Sequence, residues 1–541
     1  MRRIIAVAAG LCPAIALAQT NLPIDRGRLD RDQPVTDIKD KVAPVAEPAL
    51  PAAATKVEAA DEAATPIRSI RFQGTQVPRV VAAAAEGFVG RRPDKATLQQ
   101  LVQAMTAAYG RSPIALFTIL IPAQNLSSGD LIVAVGEGHV ESVMLTGEVD
   151  GRSLKLVKAY ADRLTREKPT SRRTLERYLS MIRDIPGLKI DANLQMGRTP
   201  GGVRIILKLD YSKPIIAFSF DNRTTRLVKD GQVQGVARYF GGLRDGDLTE
   251  LTVSSSIDFN DFLYAGISHS TPVGDDGMRL AASVGFLKTR PDNSVIEGEA
   301  KTFGLTMSYP IIRGYKRNLS LSAAIDGINS DNAALGSIIA SEHTRAGRIA
   351  LGYGQSTGKL SFSISAIGSQ GIDILGAKVN RLTADTGFTK VNGRFALDRQ
   401  IGKKAVLRLR ASAQWTADPL PAAERFAVGG ADFGRAFEVA LLSADKGQAG
   451  LIELAFRPIG SGKFAPSEVY GFADMARVTY LSRGAFPKTS FDLGSAGGGI
   501  RLVHSDKARL ELEAARPFDD PYASYHRAWR YSIGWKLMLR P

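Results

Sequence analysis

At 541 residues the chain is too long for one ordinary core, so two or more domains are expected. Hydrophobic residues make up 44% and charged residues 23%, with 53 glycines, which excludes a mainly disordered protein. The formal net charge of +16 raises a nucleic-acid partner. That class is set aside, because Lys and Arg are scattered along alternating segments and form neither a dense basic face nor a nucleic-acid-binding signature.

Arg2 and Arg3 precede an apolar run from Ile4 to Leu17, which ends Ala16-Leu17-Ala18 before Gln19. A charged start, an apolar stretch of that length and a small-x-small end mark residues 1–18 as a secretory signal. The run is short for a membrane anchor and is broken by Pro13. Leu11 before Cys12 is too bulky for lipoprotein processing. Cys12 is the only cysteine, so a chain cut after Ala18 has no disulfide, thiol nucleophile or Cys-based metal site. No later stretch reaches the roughly 18 consecutive apolar residues of a spanning helix. Export without one leaves a periplasmic or secreted protein, or an outer-membrane β-barrel.

Residues 19–65 are rich in Ala, Pro and charge, with Pro44, Pro48 and Pro51 closely spaced, and read as a linker. A short helix around Val35–Val42, a candidate plug for a lumen, is the one element it could hold. From Pro66 the pattern changes. Ile67–Phe72 reads as a strand closing at Gly74, helices follow over roughly 78–89 and 94–109, then strands at Pro113–Pro122 and Asp130–Val135. The same β-α-α-β-β order returns: a strand over His139–Leu145 ending at Gly147, helices over roughly 152–165 and 171–184, strands over 188–196 and 202–210. Two copies of one element order are an internal repeat, assigned to residues 66–137 and 138–211.

Ile70-x-Phe72-x-Gly74, Tyr109, Ile121-Pro-Ala-Gln124, Gly129 and Glu137-Gly138-His-Val140 together resemble a POTRA domain, the first of the two-partner secretion transporters that export filamentous haemagglutinin and haemolysin. Arg183-Asp-Ile-Pro-Gly187 is similar to the helix end of that family's second POTRA. Arg111-Ser-Pro113 departs from the family's Gly-aromatic pair after the helix, a local change of turn.

From residue 212 to 541 the period is two. Leu319–Ile325, Leu407–Trp415 and Trp529–Leu539 each put apolar residues on one face and Arg, Lys, Ser or Gly on the other. About sixteen such segments, many with a charged polar face, fit an antiparallel transmembrane β-barrel with a wet interior. The expected fold is therefore α+β POTRA domains followed by that barrel. Ser532-x-Gly534-x-x-Leu537-x-Leu539 resembles the signal by which outer-membrane barrels are recognised for assembly, with Leu where the last position usually holds Phe.

Between the eleventh and twelfth segments lies a long glycine-rich loop, 418–446. Its Gly429-Gly430, Gly434-Arg435-Ala436-Phe437 and Ser443-Ala-Asp445-Lys-Gly447 are similar to the motif loop of the same transporters. The resemblance implies that this loop folds back into the lumen and that Arg435 pairs with an acid on the wall. Tyr470-Gly-Phe472-Ala-Asp474 resembles the family's Phe-x-Asp strand motif, so Asp474 is the expected partner, with Phe472 on the same face. Ala436 stands where the family has glycine; one methyl is tolerable unless the backbone needs positive φ.

Catalytic readings find little. His139, His269 and His504 lie in separate strand-like segments without metal-ligand spacing, no nucleophile elbow or phosphate loop occurs, and Asp519-Asp520 reads as a solvated turn. Neither a metal nor a cofactor is called for. The resemblance implies an outer-membrane translocator whose POTRA domains, in the periplasm of a Gram-negative cell, bind an unfolded haemolysin- or adhesin-like partner, with outer-membrane lipid and the barrel-assembly machinery as its other contacts. The alternatives are a barrel-assembly factor of the same superfamily and, less favoured by the POTRA repeat, a passive porin or receptor.

Overall fold

A computed structural model describes residues 55–57 and 65–539, apart from 149–152, 200, 229, 293, 336, 381, 506, 523 and 524. The stretches read as a signal and as a plug helix lie outside the described residues. The chain forms two compact units, one running to Ser212 and including Arg313–Tyr315, the other comprising Lys213–Ile312 and the residues from Lys316 on.

The N-terminal unit contains the repeat. In the first copy helices α1 (Arg79–Glu86) and α2 (Lys95–Tyr109) cover a sheet ordered Thr55–Val57, Phe117–Ile121, Asp130–Glu137, Ser69–Gly74. Helix α2 begins where Asp94 accepts the Thr97 N–H at 2.7 Å, a side-chain cap on a donor that has no partner inside the helix. Leu98, Leu101, Met105 and Tyr109 follow at helical spacing and face the sheet, where the Tyr109 ring stacks on Phe117 at 4.4 Å. In the second copy α3 (Lys155–Thr165) and α4 (Arg172–Arg183) cover a sheet ordered His139–Glu148, Gly202–Tyr211, Leu188–Met196. Gly74 and Gly147 close the first strand of each copy with φ of 115° and 106°. A Cβ there would stand 2.2 Å from the Val135 carbonyl oxygen and 2.1 Å from that of Leu209, so both copies use glycine for one close approach.

Two local expectations change. The Pro113–Pro122 strand shortens to Phe117–Ile121. The stretch read as linker also supplies a strand, Thr55–Val57, parallel to Phe117–Ile121. A three-residue segment carries too little periodicity to stand out in sequence.

The C-terminal unit is a closed barrel of sixteen antiparallel strands, from Ile215–Asp221 to Arg530–Leu539. The last strand closes on the first, with Gly534 opposite Asp221, Leu537 opposite Phe218 and Leu539 opposite Ile216. The proposed assembly-signal residues thus lie on the closing seam. Ile325, Trp415 and Met475 are at least half exposed on the outer face, whereas their neighbours in the pleat turn inward. A soluble protein would bury such a belt; a lipid-facing barrel leaves it outside.

Candidate functional site

The chain leaves the eleventh barrel strand (Ala405–Thr416) and enters the twelfth (Lys446–Phe456) through the glycine-rich loop. Phe426–Val428 pairs antiparallel with Leu442–Ala444, so the loop is a hairpin. Its glycines Gly429, Gly430 and Gly434 hold φ of 110°, 97° and 75°. A Cβ on Gly429 would lie 2.1 Å from the Glu438 carbonyl oxygen, a contact the backbone cannot relieve without opening the turn. Ala436 is not among the residues with positive φ, and it is buried. The family glycine is therefore not required by the backbone there. Phe437 is fully buried, its ring 5.4 Å from that of Tyr525.

The tip meets the thirteenth strand (Glu468–Tyr480), whose pleat turns Tyr470, Phe472 and Asp474 inward. Buried Asp474 accepts the backbone N–H groups of Gly434 at 3.0 Å and Arg435 at 3.1 Å, and the Ser495 hydroxyl at 2.8 Å. The Arg435 guanidinium goes elsewhere. One of its amino groups donates to Glu453 at 3.0 Å and Glu513 at 3.1 Å, Nε donates to the Ala431 carbonyl at 3.1 Å, and its face lies 4.5 Å from the Phe472 ring centroid. The expected Arg435–Asp474 side-chain ion pair is thus corrected. The tight turn aims two backbone donors at Asp474, while the longer arginine side chain reaches past it to two other carboxylates.

Those carboxylates belong to a lumenal network. Arg501 donates to both oxygens of Glu453, at 2.6 and 2.7 Å, and stacks 3.6 Å from the Tyr470 ring centroid. Arg408 bridges Glu453 at 2.8 Å and Glu468 at 2.6 Å. Arg223 reaches Glu511 and Glu513, both at 3.3 Å, and the Tyr470 hydroxyl donates to Glu513 at 2.8 Å. A buried carboxylate costs several kcal/mol unless paired and hydrogen-bonded; each of these has an arginine against it. The base of the loop is held separately. Fully buried Glu424 takes Arg348 at 2.8 Å and Lys390 at 2.9 Å. Asp445 takes Arg483 and the N–H groups of Leu420 at 2.8 Å and Leu481 at 2.7 Å.

The structure therefore brings together Gly429, Gly430, Gly434, Arg435, Ala436, Phe437, Phe472 and Asp474, and leaves the seam residues Ser532, Gly534, Leu537 and Leu539 outside this cluster. Asp520 of the Asp519-Asp520 pair is bound by Arg527 at 2.7 Å. Sequence reasoning missed Glu453, Glu511, Glu513, Glu424 and the arginines that hold them. A signal existed: Glu453, Glu511 and Glu513 alternate with apolar residues in barrel strands, and an acid in that pattern faces the lumen. Which arginine each would meet is not written in any one strand.

Two family descriptions match the chain: "Haemolysin secretion/activation protein ShlB/FhaC/HecB" over residues 267–502, and "POTRA domain, ShlB-type" over residues 65–138. Among curated proteins, the heme/hemopexin transporter protein HuxB of Haemophilus influenzae is 20% identical over 468 residues, 82% of each chain. Among solved structures, CdiB from Escherichia coli superposes with a TM-score of 0.70 at 16% identity, covering 97% of this chain and 98% of its own. CdiB from Acinetobacter baumannii gives 0.63 at 17% identity, covering 98% and 99%. BamA from Haemophilus ducreyi lacking POTRA domains 1–3 gives 0.52 at 13%, covering 88% and 100%. These structural likenesses are of fold.

Proposed function

The chain belongs to the two-partner secretion transporters, outer-membrane POTRA–barrel proteins that export a partner protein, and on that premise we propose how its parts divide the work. Residues 66–137 and 138–211 act as POTRA domains in the periplasm and take up the partner as an unfolded, extended chain. Strand addition to a sheet edge suits such a ligand, since it satisfies backbone groups whatever the side chains. The partner, haemolysin- or adhesin-like, then passes through the lumen of the barrel formed by residues 212–541. The barrel itself is inserted by the assembly machinery, which reads the Ser532–Leu539 strand.

The observation that carries this reading is the hairpin between strands eleven and twelve, held at its tip by Asp474, Glu453 and Glu513 and at its base by Glu424 and Asp445. Its apolar residues Phe426, Val428, Phe437 and Leu442 pack with Tyr470 and Phe472 of the wall, and since these contacts too lie on the inner side, the loop can be released without disturbing the apolar outer belt. It is the element whose displacement opens the lumen. The work done is translocation rather than catalysis, driven by folding of the partner outside.

Deleting the gene and comparing culture media by mass spectrometry tests this. One large strand-repeat protein should vanish from the medium while other outer-membrane barrels stay at wild-type abundance. Normal secretion with a general loss of barrels would favour the assembly-factor reading instead.

A further inference from the structure

The odd-numbered barrel strands all set out from the end at which the chain enters the barrel. The connections that precede the seventh, ninth, eleventh, thirteenth and fifteenth strands are residues 314–316, 357–359, 402–404, 457–467 and 505–507. Together they hold seven Lys or Arg and one acid, Asp506. The two connections before them, 241–247 and 274–277, hold the reverse balance, with Asp245, Asp247, Asp275 and Asp276 against Arg244.

One lysine of each basic connection recurs at the same place in the fold. The carbonyls of Lys316, Lys359, Lys404, Lys463 and Lys507 accept the N–H groups of Ser356, Gln400, Arg457, Ser505 and Met538, at 2.7 to 2.9 Å. Four of the five stand immediately before their strand, where this bond extends the ladder to the next one. The backbone of each lysine is thereby fixed at the rim, while its side chain is exposed. Among the described residues, none of the five ammonium groups is paired with a carboxylate.

These charges border the apolar outer belt. Lys404 Nζ lies 6.0 Å from the ring centroid of Phe456, which is half exposed. Exposed Phe464 follows Lys463, and exposed Leu537 and Leu539 flank the Met538 that bonds Lys507. A lysine at the margin of an apolar belt lays its stem along that surface and keeps its ammonium at headgroup level. There it attracts anionic lipid, and several such lysines act together.

We propose that this arc of five lysines is a binding surface for anionic phospholipid headgroups in the leaflet around this end of the barrel. The proposal rests on the export reading above, which puts that end in the periplasm, and it adds the class of lipid that the rim selects. The placing of the lysines favours lipid over an acidic stretch of the exported chain. They spread along the rim from the seventh strand to the sixteenth, beside the outer belt, whereas a chain threading the lumen meets inward-facing residues. Bound headgroups hold the barrel at one depth while the hairpin between strands eleven and twelve moves inside it.

The test uses the full-length transporter in phosphatidylcholine vesicles that carry a trace of spin-labelled phosphatidylglycerol or spin-labelled phosphatidylcholine. The motionally restricted fraction in electron paramagnetic resonance reads which lipid occupies the protein surface. The wild type should prefer phosphatidylglycerol by about threefold at low salt, and the preference should fade as ionic strength rises. Changing all five lysines to Gln should abolish the preference, whereas changing all five to Arg should keep it. The fast-migrating band on unheated gels shows that each variant is folded. If the five Gln changes prevent folding, Lys404→Gln with Lys463→Gln decides, with a smaller fall in the same direction expected. An unchanged preference in the folded Gln variant would overturn the proposal, as would a wild type without preference. Unchanged preference together with lost export would mark the arc as a surface for an acidic polypeptide instead. Labelling of Lys404→Cys on intact cells by a large polyethylene-glycol maleimide would put this end outside and refute the export reading, an outcome distinct from any ratio measured in vesicles.

Discussion

Removing the Asp474 carboxylate should release the tip of the lumenal hairpin. In Asp474→Ala the N–H groups of Gly434 and Arg435 lose their acceptor, at 3.0 and 3.1 Å, and Ser495 loses the group that orients it. A hydrogen bond to a charged group contributes about 1.5–3 kcal/mol, so two of them are worth about 3–6 kcal/mol. Water entering the lumen takes over part of that role, which places the expected cost near the lower figure, about 3 kcal/mol. Since each 1.4 kcal/mol is a factor of ten, the released population should rise by about 100-fold. The readout is the rate at which a maleimide labels a cysteine introduced by Ala436→Cys, a position in the hairpin tip that is buried in the wild type. An Asp474→Ala rate within about threefold of the parent would refute the reasoning. The same geometry predicts that the double exchange Arg435→Asp with Asp474→Arg restores nothing, because the guanidinium rests on Glu453 and Glu513. Rescue by the exchange would place the two side chains against each other after all.

Other outcomes follow from the same contacts. Arg435→Lys replaces a planar fork by a point charge, which cannot keep Glu453, Glu513 and the Ala431 carbonyl together; hairpin release should increase about tenfold in the labelling assay, against a larger effect for Arg435→Ala. Gly429→Ala should open the hairpin turn at a cost of about 1–3 kcal/mol, seen as a lower temperature for loss of the folded, fast-migrating band on unheated gels. Ala436→Gly, which restores the residue usual in the family, should instead destabilise by about 0.4–1 kcal/mol, because the position does not need positive φ and glycine loosens the unfolded chain. In the first α/β domain the Thr97 N–H is the main cause holding the Asp94 carboxyl below its ordinary value of 3.8, with Ser69 doing the same for Asp130. Their stabilising contribution is present above that value and is lost as pH falls through the lower folded-state value. Circular dichroism at pH below about 4 should show this loss, with Asp94→Asn lacking its share.

The repeat and the barrel were legible because both are periodic. Apolar residues at helical spacing with Asp94 and Ser171 at helix starts, and strict alternation after Lys213, are local signals that need no knowledge of the partner surface. The place of the glycine-rich loop between strands eleven and twelve follows from counting those segments. Asp474 was expected on the wall beside the loop from the resemblance of Tyr470–Asp474 to the family's Phe-x-Asp motif, and parity added only that Phe472 shares its face. Ala436 could be weighed against glycine, but only φ at that residue decides whether its methyl matters.

What the linear order does not hold is which polar groups meet across the lumen. Glu453, Glu511 and Glu513 come from strands twelve and fifteen, and Arg223, Arg408, Arg435 and Arg501 from positions separated by up to hundreds of residues; closure of the barrel brings them within hydrogen-bond reach. The reach of a side chain past its backbone decided that Asp474 binds the turn and Glu453 the guanidinium. Likewise, Thr55–Val57 is three residues with no pattern of its own, and only the open edge of Phe117–Ile121 makes it a strand. Periodicity lives in the sequence, whereas charge pairing and edge pairing depend on distances that exist once the sheets are closed.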